Sequence, residues 1–401
     1  MSKGRLGRPA RRELARRELA RFFQIGGELA FGDLVHLWKD FVQGLHLSGV
    51  LIYTMIMLSP LSSRFSKSLA AVFISALAFN AAAQTAGEAK PLRVGIIGLD
   101  TSHAIAFTQT LNKGPKKPED AARLAGVRVV AAYPQGSKDI ESSTKRVPEY
   151  TEKVVAMGVE IVDSIEALVS KVDAVLLESN DGRVHLEQIQ AVLKAGKPVF
   201  IDKPIAASLE DTLRILGAAE KAKVPVFSSS SLRFGAASLA VRNGSLGKVQ
   251  SAETFSPVNL EPSHPDLFWY GIHGCESLYT VMGTGCKSVK RGLSEDGKVE
   301  VVGTWSGGRK GVFRQENGGD RKGYGGKAVG EKGEAVVGTY DGYDVLLFAI
   351  VDMFRTGVAP VSAQETIELY TFMEAADESK RRGGAEVSME EVLQKAKAAL
   401  R

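Results

Sequence analysis

From residue 92 onward, short apolar runs alternate with longer stretches in which apolar positions recur every three or four residues. LRVGIIGL (92–99), VRVVAAY (127–133), VDAVLLES (172–179), KPVFID (197–202) and VPVFSSS (224–230) are compact, rich in β-branched residues and bounded by turn formers, which predicts buried strands. Between them, HAIAFTQTLN puts Ile105, Phe107 and Leu111 on helical spacing, and 163–172, 183–196 and 208–223 read as further helices. Such alternation indicates βαβ units and a parallel sheet. In sheets of this kind ligands sit beyond the carboxyl ends of the strands, where the strand order reverses. After residue 232 the pattern changes. VEVVGTWSGGRKGVFRQ (299–315) and the stretch 327–354 read as short strands and turns, and 365–381 and 389–400 as helices. A Rossmann-type domain over 92–232 and a C-terminal α/β domain over 233–401 are therefore expected, with 84–91 as the linker before them.

The first ninety residues follow other rules. Arg64 and Lys67, the apolar run from Leu69 to Phe79 and Ala81-Ala82-Ala83 before Gln84 have the layout of a secretory signal over 55–83. The expected address is periplasmic or extracellular, with cleavage near Ala83. An uncleaved membrane anchor, helped by the apolar run Val50 to Leu58, is the alternative. Residues 1–54, which contain the repeat RRELARRELA, are read as an upstream extension ahead of a start at Met55 or Met57.

Charge sharpens this division. The chain has 401 residues and a formal net charge of +5. Residues 1–83 hold eleven basic and five acidic side chains, so the remaining 318 residues carry a net of −1. A body so close to neutrality has no footprint for DNA or RNA. Cys275 and Cys286 are too few for a disulfide scaffold and form no C-x-x-C pair, so no metal is expected from cysteine spacing.

Two loops at strand ends carry candidate chemistry. GLDTSH (98–103) stands where a dinucleotide fold has G-x-G-x-x-G; Gly98 fits the first position, while Asp100 and His103 occupy the other two. Asp100, Thr101 or Ser102 can cap the following helix, and the same backbone amides can receive a phosphate. The end of the second strand reads AAYPQGSKD, with Tyr133 and Pro134 where an acid usually holds the ribose hydroxyls; Ser137 and Lys138 could suit a 2′-phosphate. In the second loop, IDKPIA, Lys203 precedes a proline among apolar residues, a setting that can tune a lysine for proton transfer or ligand orientation.

The string LESNDGRVHLEQIQAVLKAGKPVFIDKPIA resembles a segment of the glucose-fructose oxidoreductase and inositol dehydrogenase (Gfo/Idh/MocA) family that ends in Glu-Lys-Pro. SLRFGAASLAVRNGSLGKVQSAE is similar to that family's junction into its second domain, through Arg233, Phe234, Gly244 and Gly247, and WYGIHGCESLYTVMG resembles the helix bearing its histidine, here His273. The resemblance spans roughly 92–285. It implies a doubly wound Rossmann domain followed by a domain whose open, mostly antiparallel sheet mediates homo-oligomers. It also implies NAD or NADP as the cofactor, which an exported enzyme without a cytosolic pool is expected to hold tightly, and a sugar, polyol or related alcohol or ketone as the substrate. Carried over, Lys203 and His273 are the catalytic pair, and Gly98, Thr101, Ser102, Ser179, Asn180 and Lys203 contact the cofactor. Arg233 and Trp269 are candidate substrate contacts. The family's aspartate four residues before the histidine is replaced by Trp269, and Glu276 on a neighbouring face could take its orienting role. His185 is read as structural. A non-catalytic carbohydrate-binding or assembly protein and a nicotinamide-dependent glycosidase stay open as alternatives.

Overall fold

The computed structural model describes residues 91–400. The signal-like segment and the extension before it lie outside the described residues.

Six strands, β1 (Leu92–Ile97), β2 (Val127–Tyr133), β3 (Glu160–Ile161), β4 (Ala174–Leu177), β5 (Val199–Ile201) and β6 (Val226–Ser228), form a parallel sheet in the order β3-β2-β1-β4-β5-β6. The order reverses between β1 and β4, so the crevice for a ligand opens above their carboxyl ends. Helices α1 (Ser102–Lys113), α2 (Ala121–Leu124), α3 (Glu141–Val155), α4 (Ile165–Lys171), α5 (His185–Lys194) and α6 (Leu209–Ala222) make the crossovers. Side chains set some starts: Ser164 and Ser208 accept the amides of Ala167 and Asp211, each satisfying one orphan donor of its helix. Helix α3 buries only Ser143 and Val154 and carries Pro148 in its interior.

The second sheet has seven strands: β7 (Val249–Ser256), β8 (Cys286–Leu293), β9 (Val299–Trp305), β10 (Lys310–Gln315), β11 (Gly325–Gly330), β12 (Gly333–Val337) and β13 (Val387–Ser388). Their order is β12-β11-β7-β10-β9-β8-β13; β7 and β10 pair in parallel and the other neighbours antiparallel. Helices α7 (Ala236–Arg242), α8 (Ile272–Met282), α9 (Asp344–Thr356), α10 (Ala363–Arg381) and α11 (Met389–Ala398) complete this half. Helix α8 lies so close to the sheet at Gly274 that a Cβ there would stand 2.4 Å from the Phe313 ring. Around that contact Tyr279, Trp305, Phe313 and Phe372 are fully buried.

One expectation is corrected. The end of the stretch 327–354, read as strands and turns, is helix α9. Leu346, Leu347, Ile350, Val351 and Phe354 recur at helical spacing and pack with Val94, Ile96 and Phe107, so this C-terminal segment returns to cover the first sheet. Cys275 and Cys286 are both buried free thiols.

Candidate active site

The β1–α1 turn is built around Gly98. Its φ is +85°, and a Cβ would stand 2.4 Å from the amide nitrogen of Ser179, so only glycine lets β1 and β4 close this tightly. The expectation that a side chain caps α1 does not hold, because each candidate is engaged elsewhere. Asp100 turns toward α3 and the β4 loop, accepting from Ser143 Oγ (2.6 Å) and the Asn180 amide (2.9 Å). Thr101, at the N-cap, makes no capping bond and donates to Glu178 Oε2 (3.0 Å), while the Ser102 hydroxyl meets that of Tyr343 (3.0 Å). With no acid in its first turn, α1 presents an uncapped positive end toward the crevice.

The β4 loop contributes less than expected. Ser179 Oγ accepts from Gln188 and its carbonyl faces His185 Nε2 (2.8 Å), so this hydroxyl points into the domain rather than at a cofactor. Asn180 donates to Ser142 Oγ (3.2 Å) while its Oδ1 is buried without a partner. His185 is fully buried against the carbonyls of Ser179 and Ile205, the structural role expected of it. Ser137 donates to Asp181, and Arg183 bridges Asp181 and Asp139, which ties the loop after β2 to the loop after β4. The Ser137 hydroxyl is thereby withdrawn from the 2′-phosphate role, and Lys138 is exposed.

Beneath the crevice three acids converge. Asp100, Glu178 and Asp202 are all buried to within 1% of full exclusion. His103 Nδ1 lies 3.0 Å from Asp202 Oδ1 and 3.9 Å from Glu178 Oε2, and the Lys203 amide donates to Asp202 (2.8 Å). Burial lifts Asp100 to about 6 against its two hydrogen bonds. Burial and the Asp202 charge raise Glu178 well above the carboxylate range. Burial pushes Asp202 the same way, but His103 and Lys203 prevail and hold it below that range.

Above this floor stand the two residues predicted to be catalytic. Lys203 ends β5, and its ammonium lies 5.2 Å from the Tyr270 ring, which in turn is 5.4 Å from His273; Tyr324 flanks the imidazole at 5.5 Å. Both Lys203 and His273 are half-buried. Burial, reinforced by the Lys203 charge, lowers the His273 pKa well below its ordinary value. Its Nδ1 is held by Ser230 Oγ at 2.8 Å.

Three predicted details change. Glu276 does not orient His273: it accepts from Ser229 Oγ, the Ser230 amide and Arg233 Nε, and so acts only through Ser230. Arg233 is not available to a substrate, because it is buried and paired at 2.6 Å with both Glu276 and Glu365. The chain from Leu267 to Gly271 is a π-helical turn, which rotates Trp269 off the face of His273 and onto the His264 ring (4.8 Å). Tyr270 takes the position beside the catalytic pair instead. Ser230, Tyr270, Tyr324 and Tyr343 were not singled out in the sequence; a serine run and isolated tyrosines have no spacing that marks them.

Residues 92–230 match the model described as "Oxidoreductase family, NAD-binding Rossmann fold". A 1,5-anhydro-D-fructose reductase from Ensifer adhaerens is 38% identical over 107 residues, 25% of this chain and 32% of the relative. An inositol 2-dehydrogenase from Cereibacter sphaeroides is 31% identical over 132 residues, 32% of this chain and 33% of that protein. The matched stretch thus spans about a third of these relatives. Among solved structures, a probable dehydrogenase from Thermotoga maritima superposes with a TM-score of 0.59 at 22% identity, covering 75% of this chain and 100% of the other. The myo-inositol dehydrogenase of Lactobacillus casei, solved with NAD(H) and myo-inositol, superposes at 0.57 with 17% identity over 74% of this chain and 96% of the other. These likenesses carry the two-domain fold, and the family match covers the first domain, over which this chain is similar to NAD-binding oxidoreductases of the Gfo/Idh/MocA type.

Proposed function

We propose that this protein is an NAD(P)-dependent oxidoreductase that interconverts a hydroxyl and a carbonyl on a sugar, cyclitol or related polyol. The observation that carries it is the meeting of Lys203 and His273, seventy positions apart in sequence, around Tyr270 at the carboxyl edge of the first sheet. The residues present fit a dinucleotide at the reversal point: Gly98 makes the tight turn, α1 offers uncapped amides, Asp100 is turned away from them, and Asn180 Oδ1 is a buried acceptor without a partner. When bound, the nicotinamide supplies the redox equivalent.

Every other task falls to the chain. The Lys203 ammonium donates to the reacting oxygen of the substrate and stabilises charge as it develops there. His273, kept neutral by burial and by Lys203, takes the hydroxyl proton at Nε2 in the oxidative direction and returns it in reduction. Ser230 fixes the tautomer by accepting from Nδ1–H. Tyr270 and Tyr324 wall the site with flat, hydroxyl-bearing surfaces suited to a ring with many hydroxyls. The signal-like segment makes export part of this proposal; finding Gln84 at the amino terminus of exported protein supports it, and a retained leader refutes it.

The test is nicotinamide reduction or oxidation followed by absorbance with inositols, anhydrosugars and their ketones. Lys203→Ala and His273→Ala are each expected to lower kcat/KM about 10²- to 10⁴-fold. Absence of NAD(P) binding by calorimetry, together with no turnover of any polyol, overturns the reading.

A further inference from the structure

We propose that His103, Glu178 and Asp202 form a binding site for one divalent transition-metal cation, of the Zn²⁺ or Mn²⁺ class, in the floor of the crevice. The three side chains come from α1 and from the ends of β4 and β5, and their donor atoms all lie within 4.8 Å of one another. Ligands held at about 2.1 Å from one ion stand about 3–4 Å apart. The Nδ1–Oδ1 and Nδ1–Oε2 separations of 3.0 and 3.9 Å fall in that range, and the widest pair has only to draw slightly together.

A second observation points to a missing partner. Glu178 is wholly excluded from solvent, yet its Oε1 has no hydrogen-bond partner, while Oε2 receives only the Thr101 hydroxyl. A buried carboxylate is normally paired, protonated or bound to a metal. Here two carboxylates and an imidazole converge, a donor set that suits Zn²⁺, Mn²⁺ or Fe²⁺. Phe107 and Tyr343 hold the His103 ring by stacking at 5.0 Å and by an edge contact at 4.4 Å, so the imidazole is fixed before any ion arrives. Three protein ligands leave coordination positions open, as in sites where a metal meets a substrate oxygen. That catalytic role rests on the proposed oxidoreductase reading; binding of the ion does not.

The test uses the full chain, stripped with EDTA and desalted, then titrated with ZnCl₂ or MnCl₂ by calorimetry and by thermal melting. One equivalent is expected to bind at micromolar or lower Kd and to raise Tm. Glu178→Gln and His103→Asn should each weaken binding at least a hundredfold while the stripped variants melt cooperatively. Should the variants not fold, Co²⁺ added to the stripped wild-type protein decides: visible d–d bands of a low-coordinate site support the proposal, and the spectrum of hexa-aquo Co²⁺ overturns it. No binding by the wild type, or binding unchanged in both variants, also overturns it and leaves Glu178 as a protonated acid. NAD(P) binding by the stripped protein, measured separately, tells failure of the metal site from failure of the oxidoreductase reading.

Discussion

Two buried clusters of charge lie a few residues from His273, and they are built to opposite specifications. In the first, Glu276 and Glu365 face Arg233 and Arg242. Glu276 receives Arg233, Ser229 and the Ser230 amide, and Glu365 receives both guanidiniums, so every carboxylate oxygen has a donor. In the second, Asp100, Glu178 and Asp202 share His103 and Lys203 with a few hydroxyls and amides, and one oxygen of Glu178 is left over. The same chemical groups hold a domain together where their charges balance and leave capacity to bind where they do not.

Arg233→Met breaks the balanced cluster and has the largest expected effect. It leaves two buried carboxylates short of donors, which costs about 3–5 kcal/mol when a buried pair loses one member. Denaturant melts should show that loss, with soluble but less stable protein. A change under ~1 kcal/mol would mean that water replaces the guanidinium, and the contrast between the clusters would weaken.

The unbalanced cluster should respond in the other direction. Asp100 in the folded protein titrates at about 6, against 3.8 for the free side chain. Its contribution to stability is therefore fully present below the unfolded value and is lost as pH rises through about 6, a swing of roughly 2–3 kcal/mol. Asparagine keeps the shape: its oxygen can accept the Asn180 amide, and its nitrogen can donate to Ser143 Oγ. Asp100→Asn is expected to stabilise the protein by about 1–2 kcal/mol at pH 7.5 and to change little near pH 4. Equal destabilisation at both values would show an anion whose hydrogen bonds already repay its burial.

How far these sites were legible depends on whether their signal was local. Most strands and helices of the first domain were legible through period, with β3, α2 and α3 passed over, and Lys203 and His273 stood out through the strings around them. Helix α9 was misread because its apolar run, taken with the strand pattern just before it, does not by itself separate a helix from buried strands. Asp202, the hydrogen-bonded partner of His103, lies 99 residues away in the chain, so no spacing rule joins His103, Glu178 and Asp202; only the parallel strand order brings them to one edge. Glu276 was noticed, but its role was assigned one residue too directly, since Ser230 stands between it and His273.

That intermediate serine gives the smallest effect, and it tests whether the balanced cluster reaches into the chemistry. Glu276 holds the Ser230 amide at 2.7 Å, and Ser230 Oγ, which also receives the Leu232 amide, is set to accept from Nδ1–H of His273. The free Nε2 is then the basic nitrogen. Burial and Lys203 place the acid limb of the kcat/KM profile below the ordinary histidine value, because His273 must be neutral to take a proton. Ser230→Ala removes the acceptor that stabilises the charged imidazole, so the limb should move to still lower pH. The rate at neutral pH should fall about tenfold, the equivalent of one hydrogen bond of about 1.4 kcal/mol. KM should change less than kcat, since the serine does not touch substrate, and Ser230→Thr should restore most of the loss by returning a hydroxyl. A uniform fall in rate with an unmoved limb would make Ser230 a packing residue, and the balanced cluster would then be structural throughout.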